Sequence, residues 1–266
     1  MPMTPEHNGV AIWYEVHGDG PPLILVSGTG HDHTFWSGQI PHFAQSFLTI
    51  VFDNRGVGRS SVPPPGYSLA DMADDAARVL DGAGLDEAHV MGFSMGGHIA
   101  QELTLNHPQR VLSLGIHHSW ARNGARLRKF QETRRYLAEH GQRVALAELS
   151  MIALHASAYY DAHVEEMEEH RRFLMEGSPV NAGWIGQLEA CLAGDTYDRL
   201  PQISVPTLVT CSELDLIASP HLSREIHARI PGSELKILKD TGHVALMEAP
   251  DLFAEVCLEF LGRVAG

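Results

Sequence analysis

Apolar residues along this chain fall into short runs separated by polar, glycine-rich stretches. Residues 23–26, 48–52, 89–92, 111–116, 207–211 and 235–238 form such runs, and residues 10–17, which alternate in part, precede them. Runs of this length without alternation suit strands covered on both faces, as in a parallel sheet. Between them the period changes. Leu69, Met72, Ala73, Ala76, Val79 and Leu80 recur at helical spacing behind Ser68, which can cap the helix, with Asp71 three residues on. Residues 95–105 read as another helix, stopped before Pro108, and residues 249–261 as a closing one. This alternation predicts an α/β fold with a mostly parallel central sheet and helices on both faces.

The alternation lapses between residues 121 and 196. No convincing strand occurs there, and residues 126–140, 143–155, 162–176 and 181–191 each carry a helical pattern. Two of these runs end near Gly141 and Gly177, a common helix stop. The reading is a core domain of residues 1–120 and 197–266, with residues 121–196 inserted as a helical cap. Trp184, Tyr159, Tyr160 and the methionines and leucines of the insertion serve ordinary helix packing, a lid over a site, or both on different faces. No internal repeat is visible.

Composition narrows the function classes. A length of 266 residues is enough for one large α/β domain that needs no staples. A formal charge of −14 repels phosphate backbones and anionic membrane surfaces, so neither nucleic acid nor membrane is expected as a partner. The 17 histidines should make that charge less negative as the pH falls toward 6. Cys191, Cys211 and Cys257 are far apart, odd in number and lack metal spacing, which suits free thiols in a reducing compartment. The first ten residues show no signal-peptide pattern and no apolar run has the length of a spanning helix, so the expected location is cytoplasmic.

Gly92-Phe93-Ser94-Met95-Gly96 matches Gly-x-Ser-x-Gly and lies between an apolar run and a helical pattern. There a sharp strand-to-helix turn exposes a serine hydroxyl at a helix N-terminus, where the dipole favours developing negative charge. A serine is a weak nucleophile and needs a base. His243 follows the last short strand and is the candidate. Asp215, after the run at 207–211, is the candidate for orienting it; Glu213 is its nearest rival and Asp240 and Asp195 are weaker ones. The order Ser94, Asp215, His243 is that of one particular class of serine hydrolase. An oxyanion also needs donors. The Met95 N–H is one candidate, and the Thr29 N–H, in the glycine-flanked turn Ser27-Gly28-Thr29-Gly30, is the other.

Sites in α/β sheets form on loops at strand carboxyl ends. His31, Trp36, His118 and Trp120 are therefore candidate pocket residues, with Gly28, Val244 and Trp184. His98, one turn beyond Ser94, reads as structural. No metal is expected, because no carboxylate or cysteine completes a ligand set around the histidine pairs in sequence.

Over essentially its full length the chain resembles the α/β-hydrolase superfamily. The resemblance is carried by Ser27-Gly28-Thr29-Gly30, by Asp53-Asn54-Arg55-Gly56-Val57-Gly58-Arg59-Ser60, by the Ser94 motif with Gly97, by Asp215 and by Gly242-His243. Within it, the chain most resembles the enol-lactonase, esterase, perhydrolase and carbon–carbon bond hydrolase group. The resemblance implies the cap inserted after the sixth strand, no cofactor and a small-molecule substrate, and it leaves a homodimer open. It implies ester or lactone cleavage through an acyl-enzyme on Ser94. The alternatives are cleavage of a diketone carbon–carbon bond, cofactor-free perhydrolysis, or a non-hydrolytic role as ligand receptor or cyclisation catalyst. The aromatic and Met content of the insertion suggests a fairly apolar substrate. Two departures matter. Ser27 stands where much of the family has histidine, and Ser94 stands where dehalogenases and epoxide hydrolases carry aspartate. Asp53 and Arg55 read as a structural turn satisfied by neighbours.

Overall fold

The computed structural model of the protein describes residues 2–177 and 180–265. Its strands are β1 (Tyr14–His17), β2 (Pro22–Val26), β3 (Leu48–Phe52), β4 (Ala88–Phe93), β5 (Val111–His117), β6 (Thr207–Ser212) and β7 (Glu234–Leu238). Its helices are α1 (Ile40–Phe43), α2 (Leu69–Gly82), α3 (Met95–Asn106), α4 (Ala125–Glu139), α5 (Arg143–Leu154), α6 (Ser157–Ala162), α7 (Val164–Arg172), α8 (Ala182–Ala193), α9 (Pro220–Arg229), α10 (Ala245–Glu248) and α11 (Pro250–Val264). The sheet order is β1-β3-β2-β4-β5-β6-β7; β1 is antiparallel to β3 and the remaining pairs are parallel.

The unbroken apolar runs have a simple cause. Every residue of β4 and of β6 is buried, because helices cover both faces of the central strands. At the edge, β7 is mostly half-buried. The connection from β2 moves to β3 on one side, and the connection from β3 returns past β2 to β4. That reversal opens a crevice at the carboxyl ends of β2 and β4, the place where ligands bind in such sheets. Ser68 and Asp71 form a full capping box at the start of α2, each side chain accepting from the other's backbone N–H.

The insertion follows β5, the fifth strand in chain order, rather than a sixth. The difference arises at the N-terminus, where Met3 and Trp13 make an isolated bridge and no strand forms before β1. The two ends of the insertion meet. Arg122 bridges to Asp195, and the Thr196 N–H donates to the Ala121 carbonyl at 2.9 Å. The helix expected over residues 162–176 is present as α7 and ends in a π-helical turn, Phe173–Gly177; α6, joined to it at His163, ends at the expected start. Helices α1 and α9 were not anticipated; one is a single turn, and the other buries only Leu222, Ser223 and Ile226.

Helix α8 docks the insertion on the sheet domain. Gln187 accepts from the Gly30 N–H and donates to the Arg55 carbonyl, and Tyr67 donates to the Gly183 carbonyl, all within 2.8 Å. Gly183 packs directly on Gly56: a Cβ added to Gly183 would lie 2.2 Å from the Gly56 Cα. Leu146, Trp184 and Leu188 form a small apolar cluster separate from the main core. Among the described residues no helix is long and apolar enough to cross a membrane. Because backbone stands in the way, Gly183→Ala should lower stability by about 1–3 kcal/mol. Urea unfolding checks this; a midpoint equal to wild type would show that α8 can move away without cost.

Candidate active site

Ser94 is the N-cap of α3 and holds φ 56°, ψ −117°, a conformation that non-glycine residues rarely adopt. Its neighbours allow the turn. A Cβ on Gly92 would lie 2.1 Å from the Gly96 carbonyl oxygen, and one on Gly96 would lie 2.1 Å from that of Val26. The Ser94 hydroxyl is within 3.0 Å of His243 Nε2. His243 Nδ1 is 2.8 Å from Asp215 Oδ2. The other oxygen, Oδ1, accepts the Ile217 and Ala218 N–H groups at 2.7 and 2.9 Å. That pattern fixes the tautomer: Nδ1–H donates to the carboxylate, leaving the Nε2 lone pair for the serine proton.

Burial alone would raise the Asp215 carboxyl. The charge and hydrogen bond of His243, then His118 and the Ile217 N–H, hold it below the ordinary carboxylate value instead. Asp215 therefore stays ionised while fully enclosed. Glu213, Asp240 and Asp195 are all exposed.

The Met95 N–H precedes the first intrahelical bond of α3, and the Thr29 N–H lies in the turn after β2. Neither makes a hydrogen bond among the described residues. The turn sits against the serine: a Cβ on Gly28 would be 3.3 Å from Ser94 Cβ. Ser27, in place of the family's histidine, is buried and points its hydroxyl at the Asp32 carbonyl at 3.3 Å.

A pocket opens over Ser94. Of the pocket candidates, Gly28, His31, Trp184 and Val244 line it, beside Thr29 and His243. Trp36, His118 and Trp120 do not. All three are fully buried behind the wall. The cause is Phe93, which faces the pocket itself while His118 stacks on it at 5.1 Å and Trp36 meets it edge-on at 6.5 Å. His118 also bonds Ser212 Oγ at 2.8 Å and stands edge-on to His243 at 6.0 Å, so it supports the His243 ring. Trp120 packs on His98 instead.

Apart from Trp184, sequence reading missed the wall contributed by the insertion. Phe130, Gln131 and Arg134 of α4, and Leu146, Ser150 and Leu154 of α5, line the pocket. The signal was present: Leu127, Phe130, Gln131 and Arg134 share one helical stripe, with two polar residues where a core stripe would be apolar. Asp32, His33 and Asp53 offer atoms within 4.8 Å of one another in a way that could hold a cation. Asp53 is, however, spent on the His33 and Arg59 backbone N–H groups and the His33 ring, and Asp32 on Thr34. Arg55 makes a two-point pair with buried Asp75. This segment is a locked turn beneath the site.

Fold and site together define an α/β hydrolase. A family model described as alpha/beta hydrolase fold matches residues 21–250, and the chain belongs to that family. It is 33% identical to a protein of Azorhizobium caulinodans named "Putative carbamate hydrolase RutD", over 97% of this chain and 98% of that one. Among solved structures it is similar to the enol-lactonase from Burkholderia xenovorans LB400, with a TM-score of 0.89 at 25% identity, covering 96% of this chain and 98% of that one. It is equally similar to a thermophilic esterase from Thermogutta terrifontis, with a TM-score of 0.89 at 28% identity, covering 100% and 98%.

Burial also corrects the picture drawn from histidine count. Desolvation lowers His31 to about 4, and His98, His117, His118 and His170 to about 3, so these five stay neutral down to acid pH. They do not relax the negative charge near pH 6. In the unfolded chain they would protonate below about 6.5. Their stabilising effect is therefore complete above that value and is lost as the pH falls toward their folded values. Replacing His98 with Leu should flatten the stability slope between pH 6.5 and 5 by roughly one proton, about 1.4 kcal/mol per pH unit. Urea unfolding across that range measures it; parallel wild-type and variant curves would contradict the buried-neutral reading.

Proposed function

We propose that the protein is a serine hydrolase that cleaves a carboxylic ester or lactone of a small to medium molecule. The observation that carries this reading is the continuous hydrogen-bonded line Asp215–His243–Ser94 opening into the pocket. In the proposed cycle, His243 takes the Ser94 proton as Oγ attacks the carbonyl carbon. The Met95 and Thr29 N–H groups hold the oxyanion. His243 then protonates the leaving oxygen, and afterwards takes a proton from water to release the acid and restore Ser94. Asp215 keeps the ring oriented and stabilises the imidazolium. No step calls for a cofactor. Residues 121–196 act as the lid, since α4, α5 and α8 supply the pocket roof. The three free, buried cysteines fit a reducing compartment and so the cytoplasm.

The relatives named as carbamate hydrolases favour a second reading, in which the same attack falls on a carbamate carbonyl. The attack by Ser94 is the same, but loss of the alcohol would leave a carbamoyl-enzyme, which water releases as a carbamic acid that breaks down to amine and carbon dioxide.

Labelling with a fluorophosphonate, read by intact mass, should give one adduct on wild type and none on Ser94→Ala. Asp215→Asn should lower ester turnover by roughly 10⁴-fold, because it permits the wrong His243 tautomer. A panel of p-nitrophenyl esters, lactones and carbamates ranks the two readings. Retained turnover in Ser94→Ala would overturn both.

A further inference from the structure

The pocket roof holds one fixed positive charge that no carboxylate among the described residues balances. Arg134, in the middle of α4, lies over the Trp184 ring at 5.1 Å and over Phe130 at 5.6 Å. Its Nη1 makes a single long hydrogen bond, 3.4 Å to Gln131 Oε1. Its Nε is buried without a partner, and among the described residues no carboxylate comes within ion-pair distance of the guanidinium. The next residue shows the contrast. Arg135 faces Glu139 at 3.5 Å and Glu189 at 4.0 Å.

Acids are not scarce in this chain, with 33 Asp and Glu against 19 Lys and Arg. Yet none lines the pocket. A half-buried guanidinium without a counter-charge is still costly, and an ordinary helix-packing stripe would fill that position with an apolar side chain. Burial draws Arg134 down to about 10, so it remains charged at neutral pH. The other histidine of the wall carries no charge there. His31 Nδ1 lies 3.1 Å from the Thr29 carbonyl, which can only accept, so Nδ1 bears the hydrogen and Nε2 is a bare, buried acceptor. The wall thus presents a permanent cation framed by aromatic rings, a neutral acceptor, and apolar surface elsewhere.

We propose that the substrate carries a free carboxylate remote from the scissile bond, and that Arg134 binds it as the specificity-determining residue of the pocket. This rests on the hydrolase reading for the identity of the reaction, but not for the binding. A planar guanidinium held over the Trp184 ring can offer two N–H groups to a carboxylate, a contact that lysine matches in charge but not in shape. The expectation of an apolar substrate becomes that of an apolar body with an anionic end.

Two matched ester pairs test it. One bears the acid on the acyl side, mono-4-nitrophenyl glutarate against 4-nitrophenyl pentanoate. The other bears it on the leaving side, 4-acetoxybenzoate against phenyl acetate. In at least one pair, wild type should favour the acid in kcat/KM. Arg134→Gln should lower the acid-to-neutral ratio by about tenfold or more, mainly through KM, and Arg134→Lys should recover part of it. Preference for the neutral ester in both pairs would overturn the proposal. So would an unchanged ratio in Arg134→Gln, which is the signature of a structural role for the Trp184 contact. A binding measurement separates this from the hydrolase reading. Calorimetric titration of Ser94→Ala with monomethyl and dimethyl glutarate should show tighter binding of the acid, abolished by adding Arg134→Gln. If fluorophosphonate fails to label wild type, the hydrolase reading falls, and this titration still decides the role of Arg134. Equal binding of the two esters would reject it.

Discussion

At the first turn of α3 two backbones meet with no room for a side chain. The Val26 carbonyl oxygen would lie 2.1 Å from any Cβ at position 96, and the Gly96 carbonyl 2.1 Å from any Cβ at position 92. From this contact follow the left-handed backbone of Ser94, the exposure of its hydroxyl beyond β4, and the nearness of the Thr29 amide at the end of β2. The strand pairing supplies the rest. Because β5, β6 and β7 run parallel to β4 in the same sheet, the loops that bear Asp215 and His243 emerge at the same edge as Ser94. Residues 28, 94, 215 and 243 are far apart in sequence and are brought together by the register of one sheet.

Electrostatically the site is unlike the rest of the molecule. The chain is strongly acidic overall, yet the one acid at the site, Asp215, is enclosed and held ionised by two amides and His243. Around it His31 and His118 are neutral, so they shape the site without adding charge. Phe93 and His118 illustrate this. Stacked ring on ring, they form a dry wall behind the Ser94–His243 bond. In such a low-dielectric setting, each fixed dipole and each remaining charge acts more strongly than it would in water. Arg134, on the pocket roof, differs from the enclosed Asp215 in that its counter-charge is left to the ligand.

Much of this was legible in the sequence where local chemistry leaves no choice. The unbroken strand runs, the Gly92–Gly96 turn and the Ser68 cap each reflect a constraint that acts within a few residues, while the chain order of Ser94, Asp215 and His243 is legible because each follows its own apolar run. Legibility fails where a residue's role depends on what lies behind it. Trp36, His118 and Trp120 are large, aromatic and near strand ends, and nothing local shows that Phe93 stands between the first two and the pocket or that Trp120 packs on His98. The insertion is the other blind spot. Its helices could be read from period, but the face of α4 that roofs Ser94 is decided by the docking of α8 on Gly56 and Tyr67. Arg134 becomes visible only once that docking places its stripe over the site.

The insertion is tied to the site at a second place as well, through Glu248. This buried carboxylate accepts the Gly242 N–H at 2.8 Å and the Ala156 N–H at 3.0 Å, and lies 3.2 Å from His155 Nδ1. His155 Nε2 in turn is 3.0 Å from His170 Nδ1, on α7. One side chain therefore holds both the loop that carries His243 and the junction between α5 and α6. The Val244 N–H reinforces the link by donating to the Leu154 carbonyl at 3.2 Å. A hinge between roof and floor of the pocket would have to break these contacts and leave an acid buried without partners, a costly outcome. Access to Ser94 through movement at α5 is thus opposed by the same bonds that position His243. The π-helical turn Phe173–Gly177 takes no part in these bonds, and at the pocket rim Phe173 is exposed and Leu174 only half-buried.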